Sequence, residues 1–223
     1  MAKKKSRAYQ SPVRDRQAGD TRQRIIEATR QLLQADGYAG MTIEAIARRA
    51  AVSAPSVYAI FKSKTGILTA LLDQSTFGAA YEDAVRRTLS TADPEMRLRS
   101  AAGIARQIHE AQCATFDLLR GAGVVAPELA KLARQREDLR YGRQEILIIS
   151  LGEAKRLRSD LDHRTARDIF WMFTGPDVYR MLVCERGWSS RRYEEWLAEA
   201  LVENLLNSAP KRNSRATNRR GGQ

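Results

Sequence analysis

Between two polar ends, apolar residues recur at the spacing of α-helices along the whole chain. Ile25, Ile26, Leu32 and Leu33 fall on one face of a helix predicted to start at Asp20, an N-cap with Gln23 at the capping-box position. Gly37 is its expected C-cap. Thr42 caps a second helix whose apolar side carries Ile43, Ile46, Ala47 and Ala50. Ala51-Val52-Ser53 breaks the pattern, and Ser53 caps a third, very short helix. Pro55 lies in its first turn, where a missing N–H is harmless, and Val57, Ile60 and Phe61 face inward. Ser63 caps a fourth helix with Ile67, Leu68, Leu71 and Leu72. Pro94 and Pro127 stand just inside two long helices, near Pro94–Arg120 and Pro127–Leu151, separated by Gly121-Ala122-Gly123. A helix from Thr165 is interrupted at Gly175-Pro176 and resumes to Glu185. After the turn at residues 187–190, Arg191–Leu206 is the last helix. No run alternates with period two and no Asn-Gly or Asp-Gly hairpin signal occurs, so the fold class is all-α with about nine helices.

The ends behave differently. Residues 1–19 and 208–223 are rich in Lys and Arg with almost no apolar content, and both are expected to be disordered. The domain reading is therefore a basic arm (1–19), a first unit (20–65), a larger helical unit (66–207) and a basic tail (208–223). No stretch approaches a membrane span and no signal-peptide core follows the basic start, so a cytoplasmic protein is expected. Cys113 and Cys184 make no disulfide framework. With His109 and His163 they offer no metal-ligand spacing, so neither a metal nor a cofactor is expected.

Charge sharpens the picture. The net charge of the 223 residues is +12, but residues 1–72 carry +8, residues 73–206 carry −1 and residues 207–223 carry +5. A near-neutral body with basic ends points to a polyanionic partner, nucleic acid before membrane.

A short helix, a tight turn and a second short helix, braced by a longer first helix, is the helix-turn-helix arrangement, whose second member enters the major groove. The segment Met41-Thr42-Ile43-Glu44-Ala45-Ile46-Ala47-Arg48-Arg49-Ala50-Ala51-Val52-Ser53-Ala54-Pro55-Ser56-Val57-Tyr58-Ala59-Ile60-Phe61-Lys62-Ser63-Lys64 resembles the TetR family of bacterial transcriptional regulators. The preceding helix, ending in Gly37-Tyr38, matches as well. One departure is Ala51, where the family usually has Gly. If that position has φ > 0, alanine costs about 1 kcal/mol.

The resemblance implies a double-stranded DNA operator as partner. It implies Thr42, Ser53, Tyr58 and Lys64 as phosphate contacts, helped by Lys62. Ala54, Pro55 and Ser56 are implied to face base edges. No Arg or Asn stands in 54–59 to read a base bidentately, so apolar contacts, arm arginines or DNA shape must carry part of the specificity. The same resemblance implies a homodimer formed by the last helices, with Trp196 and Leu201 as candidate anchors. It also implies a pocket for an unknown small-molecule effector. Ile108, His109, Phe116, Ile146, Phe170 and Phe173 are its candidate lining, although such residues equally build a helical core.

The expected function is a dimeric repressor released from its operator by a small molecule. The alternative is the same architecture gated by a protein partner or without ligand. No Gly-rich phosphate loop, nucleophile elbow or metal constellation supports an enzyme.

Overall fold

The computed structural model describes residues 12–76, 79–123 and 126–207. The expectations of disorder at residues 1–11 and 208–223 lie outside them. The described residues are helical in the order α1 (Pro12–Gly40), α2 (Ile43–Arg49), α3 (Ala54–Phe61), α4 (Lys64–Thr76), α5 (Ala79–Ser90), α6 (Pro94–Gly123), α7 (Pro127–Glu153), α8 (His163–Phe173), α9 (Pro176–Tyr179) and α10 (Ser190–Leu205). Helix α9 runs directly into a π-helical turn, Arg180–Glu185.

The caps follow the residue chemistry. Thr42 and Ser53 each turn an extended backbone into a helix, and their hydroxyls accept from Ala45 N (3.1 Å) and Ser56 N (3.2 Å). Ser63 Oγ accepts from Gly66 N (3.0 Å), and Asp162 and Ser189 cap α8 and α10 in the same way. Helix α1 departs from expectation: it begins at Pro12, so Asp20 is an interior residue and part of the expected arm is helical. Gly37 does break it, with φ 66° and ψ −173°, a conformation that a Cβ excludes. Helix α6 continues through Gly121-Ala122-Gly123, where a break was expected, because two glycines only weaken a helix of this length.

Two apolar cores organise the chain. The first gathers Ile25, Leu33, Met41, Ile46, Val57 and Phe61 from α1–α3 with Ile67, Leu68, Leu71 and Leu72 of α4. The boundary expected after residue 65 thus cuts through this core, which continues to Leu72. Leu129 and Leu132, from the start of α7, are buried in it too. The second core holds Leu98 of α6, Leu147, Ile148 and Leu151 of α7, Phe170 of α8, and Leu197, Leu201 and Leu205 of α10. One helix, α7, therefore has its first turns in one core and its last turns in the other.

Helix α10 packs against α6, where Arg99 pairs with Glu199 (2.7 Å) and Arg106 with Glu194 (2.5 Å). Leu201 lies fully inside this packing, so it faces its own protomer rather than a second copy. Trp196 is half-buried, edge-on to Phe173 of α8 (6.0 Å between rings).

Candidate nucleic-acid interface and buried cavity

Helices α2 and α3 meet through a turn closed by Val52 N donating to Ala47 O (2.9 Å). The turn requires Ala51 at φ 53°, the left-handed region. Arg49 Nε donates to Gln31 Oε1 (2.8 Å) and braces α2 on α1. With Val57 and Phe61 turned into the core, α3 exposes Pro55, Tyr58 and Ala59, and Lys62 continues that stripe. These positions share one helical face. Thr42 is exposed at the start of α2, and Arg48 and Arg49 are exposed at its end.

The expected contact residues divide. Thr42, Ser53, Pro55, Tyr58 and Lys62 are on the surface, and Tyr58 is half exposed. Ala54 and Ser56 are half-buried, and Ser56 Oγ is engaged with Ser53 Oγ at 2.7 Å. Lys64 differs most from expectation. Its half-buried amine donates to Tyr38 O and stands 3.6 Å from the centre of the Tyr38 ring. Burial lowers its pKa, opposed by the nearby Glu128 carboxylate. It is thus used inside the protein, joining α4 to the end of α1.

The second feature is a cavity of about 120 Å³ in the body, walled by α5, α6, α7 and α8. Of the expected lining residues, Ile108, His109, Ile146 and Phe170 border it, with Ile146 largely exposed at its edge. Phe173 does not: it is half-buried against Trp196. The side chain of Phe116 lies outside the described residues. Residue spacing alone missed the wall from α5, with Tyr81, Val85, Thr88 and Leu89, although these positions fall at helical spacing. It also missed the polar group on α7, Glu137, Arg140 and Gln144.

That polar group is tightly wired. Arg140 pairs with Glu137 (2.6 Å) and donates to Trp171 O (3.0 Å) and Thr174 Oγ1 (3.3 Å). Its charge is neutralised within the wall. The Thr174 hydroxyl donates to Phe170 O (2.7 Å), so it can only accept from Gln144 Nε2 (2.9 Å). His109 is buried, and its Nε2 lies 3.0 Å from Thr174 O. A carbonyl accepts, so Nε2 carries the hydrogen and Nδ1 carries the lone pair. Burial lowers the His109 pKa to about 4, and the ring is neutral near pH 7. Among the described residues, His109 Nδ1 and Gln144 Oε1 find no hydrogen-bond partner.

Residues 25–71 match the family model described as bacterial regulatory proteins, tetR family. The matched segment is the first core with its exposed α3. Residues 25–71 are a TetR-family DNA-binding segment. The chain as a whole shares its fold with solved structures across most of its length. A TetR transcription regulator from Haloarcula marismortui is 19% identical with a TM-score of 0.63, over 85% of this chain and 100% of that one. A protein from Saccharomonospora viridis, solved in complex with choline, is 19% identical with a TM-score of 0.64, again over 85% and 100%. NalD of Pseudomonas aeruginosa, the secondary repressor of the MexAB-OprM multidrug efflux pump, is 18% identical with a TM-score of 0.63, over 85% and 98%. No curated protein sequence matches the chain. It is a DNA-binding transcriptional regulator, and no helix among its described residues is long and apolar enough to cross a membrane.

Proposed function

We propose that the chain is a dimeric repressor that leaves its operator when a small molecule fills the cavity between α5, α6, α7 and α8. One observation carries this reading. Helix α7 begins inside the DNA-binding core at Leu129 and Leu132 and borders the cavity at Arg140, Gln144 and Leu147. These points are roughly 22 Å apart on a rigid helix with a rise of 1.5 Å per residue. A shift of α7 at the cavity is therefore a shift of the helix-turn-helix support. The choline complex of one fold neighbour and the repressor role of another agree with this reading.

Thr42, Ser53, Tyr58 and Lys62 meet phosphates in this reading, and Pro55 with the flanking Ala54 and Ser56 faces the bases. Lys64 acts through Tyr38. The second copy docks on the half-buried strip Ile169, Phe173 and Trp196 of α8 and α10, giving two reading heads.

The test needs no knowledge of the ligand. Ala105 is buried in the cavity wall, and Ala105→Phe places a ring in the space. An operator is first selected from random duplexes with the wild-type protein. The variant, shown folded by circular dichroism, is expected to bind that operator at least tenfold more weakly. Unchanged affinity overturns ligand gating and leaves a constitutive or partner-gated regulator.

A further inference from the structure

The wall of the cavity restricts what can fill it. Most of its surface is apolar, from Val85, Leu89, Ile104, Ile108, Leu147 and Phe170. The charged groups beside it are already matched: Arg140 holds Glu137, and Arg143 holds Glu82 (2.9 Å). A carboxylate guest would find no cation without breaking one of these pairs, and desolvating an unpaired charge is costly. A cationic guest would find the carboxylates beside the cavity, Glu137 and Glu82, already held by guanidinium groups.

Among the described residues that line the cavity, the two buried polar atoms without a partner are both acceptors. His109 Nδ1 has its lone pair because Nε2–H is committed to Thr174 O. Gln144 Oε1 is an oxygen because the amide nitrogen must face Thr174 Oγ1, whose own hydrogen goes to Phe170 O. Both side chains are anchored on the same residue, Thr174, so the two acceptors belong to one end of the cavity. A buried acceptor without a donor is unfavourable, and a guest that supplies the donor removes that cost. The space of about 120 Å³ compares with the roughly 150 Å³ that admits benzene in an apolar protein cavity.

We infer that the cavity binds a small, neutral, apolar molecule of single-ring size carrying a hydroxyl group, whose O–H donates to His109 Nδ1 or Gln144 Oε1. This rests on the reading of the cavity as the effector site and adds the chemical class of the effector.

Isothermal titration of the full chain with phenol, anisole, benzene and benzoate tests it. Anisole keeps the ring and the oxygen but cannot donate. Phenol is expected to bind about tenfold tighter than each of the other three, since one donor meets a buried acceptor. In a His109→Leu/Gln144→Met variant, the phenol affinity should fall to that of benzene. Should this variant fail to fold, the comparison of phenol with anisole on the wild-type protein decides alone. Equal binding of phenol and anisole, tighter binding of benzoate, or no binding of phenol each overturns the inference. The effector reading fails separately, and only if Ala105→Phe also leaves operator affinity unchanged.

Discussion

Tyr38 donates a hydrogen bond of 2.9 Å to Glu128, linking the last turn of α1 to the first turn of α7. The same tyrosine holds Lys64 of α4 through its ring and its carbonyl. Burial, with help from the Glu128 carboxylate, pushes the Tyr38 hydroxyl pKa up to about 12, so the phenol stays a donor throughout the physiological range. Three elements thus meet at one side chain where the DNA-binding core receives α7. Tyr38→Phe removes the hydroxyl and keeps the ring. It should leave the fold intact and shrink the effect of Ala105→Phe on operator affinity. A cycle of the two variants, read by fluorescence anisotropy with labelled operator, measures the coupling. Full additivity would show that the contact transmits nothing.

The turn between α2 and α3 stores a small amount of strain. Ala51 is held at φ 53°, where a Cβ is disfavoured. Ala51→Gly should stabilise the protein by about 0.5–1 kcal/mol, after the greater freedom of glycine in the unfolded chain is subtracted. For a chain of this size the melting temperature should rise by about 1–4 °C. A fall in melting temperature would mean that the left-handed turn costs alanine little here.

His109 gives the protein a pH dependence of known sign. Its ordinary pKa of 6.5 applies to the unfolded chain, and burial lowers it to about 4 in the folded one. Between these values the unfolded chain binds more protons. Stability is therefore full above pH 6.5 and lost as pH falls toward 4, by about 3 kcal/mol in total. Urea unfolding at several pH values should show this loss. In His109→Leu the part due to the imidazole should vanish, and an identical slope in the variant would show that His109 is not neutral in the folded state.

Two substitutions on neighbouring helices should separate folding from assembly. Leu201 is fully enclosed by its own protomer, so Leu201→Glu should unfold the chain by burying a carboxylate without a partner. Ile169 is half-buried on the strip proposed to meet the second copy. Ile169→Glu should remain helical and elute as a monomer in light-scattering chromatography. A dimer of unchanged strength would move the interface away from α8.

Cys113 Sγ and Cys184 Sγ lie 2.7 Å apart and are not joined as a disulfide, one on α6 and one on the π-helical turn after α9. Hydrogen peroxide should join them: each thiol loses a hydrogen, the sulfurs bond, and the peroxide is reduced to two waters. Thiol titration under denaturing conditions should then find none free, with the chain still monomeric on non-reducing gels and the thiols restored by dithiothreitol. Persistence of both thiols under peroxide would place the two cysteines too far apart or too poorly exposed to react.

Local residue chemistry is enough to place the caps and the inward face of the DNA-binding unit. Thr42 and Ser53 are local caps, Pro55 a local helix starter, and Val57 and Phe61 obey the helical period, so each is decided by residues a few positions away. The long-range partners come from how the helices pack. Lys64 looks like a surface lysine until Tyr38, far away along the chain, folds over it. Phe170 and Phe173 stand one turn apart with the same composition around them, yet one borders the cavity and the other packs on Trp196. Leu201 and Trp196 share a helical pattern, but the packing of α10 on α6 buries the first completely and the second only in part. A helical period says that a face is covered and not what covers it. The tilt and neighbours of each helix depend on contacts summed over distant segments, and no local pattern records them. The wiring of Thr174 to His109, Arg140 and Gln144 is the clearest case. It joins α6, α7 and the end of α8, and it exists only because those three elements converge on one residue.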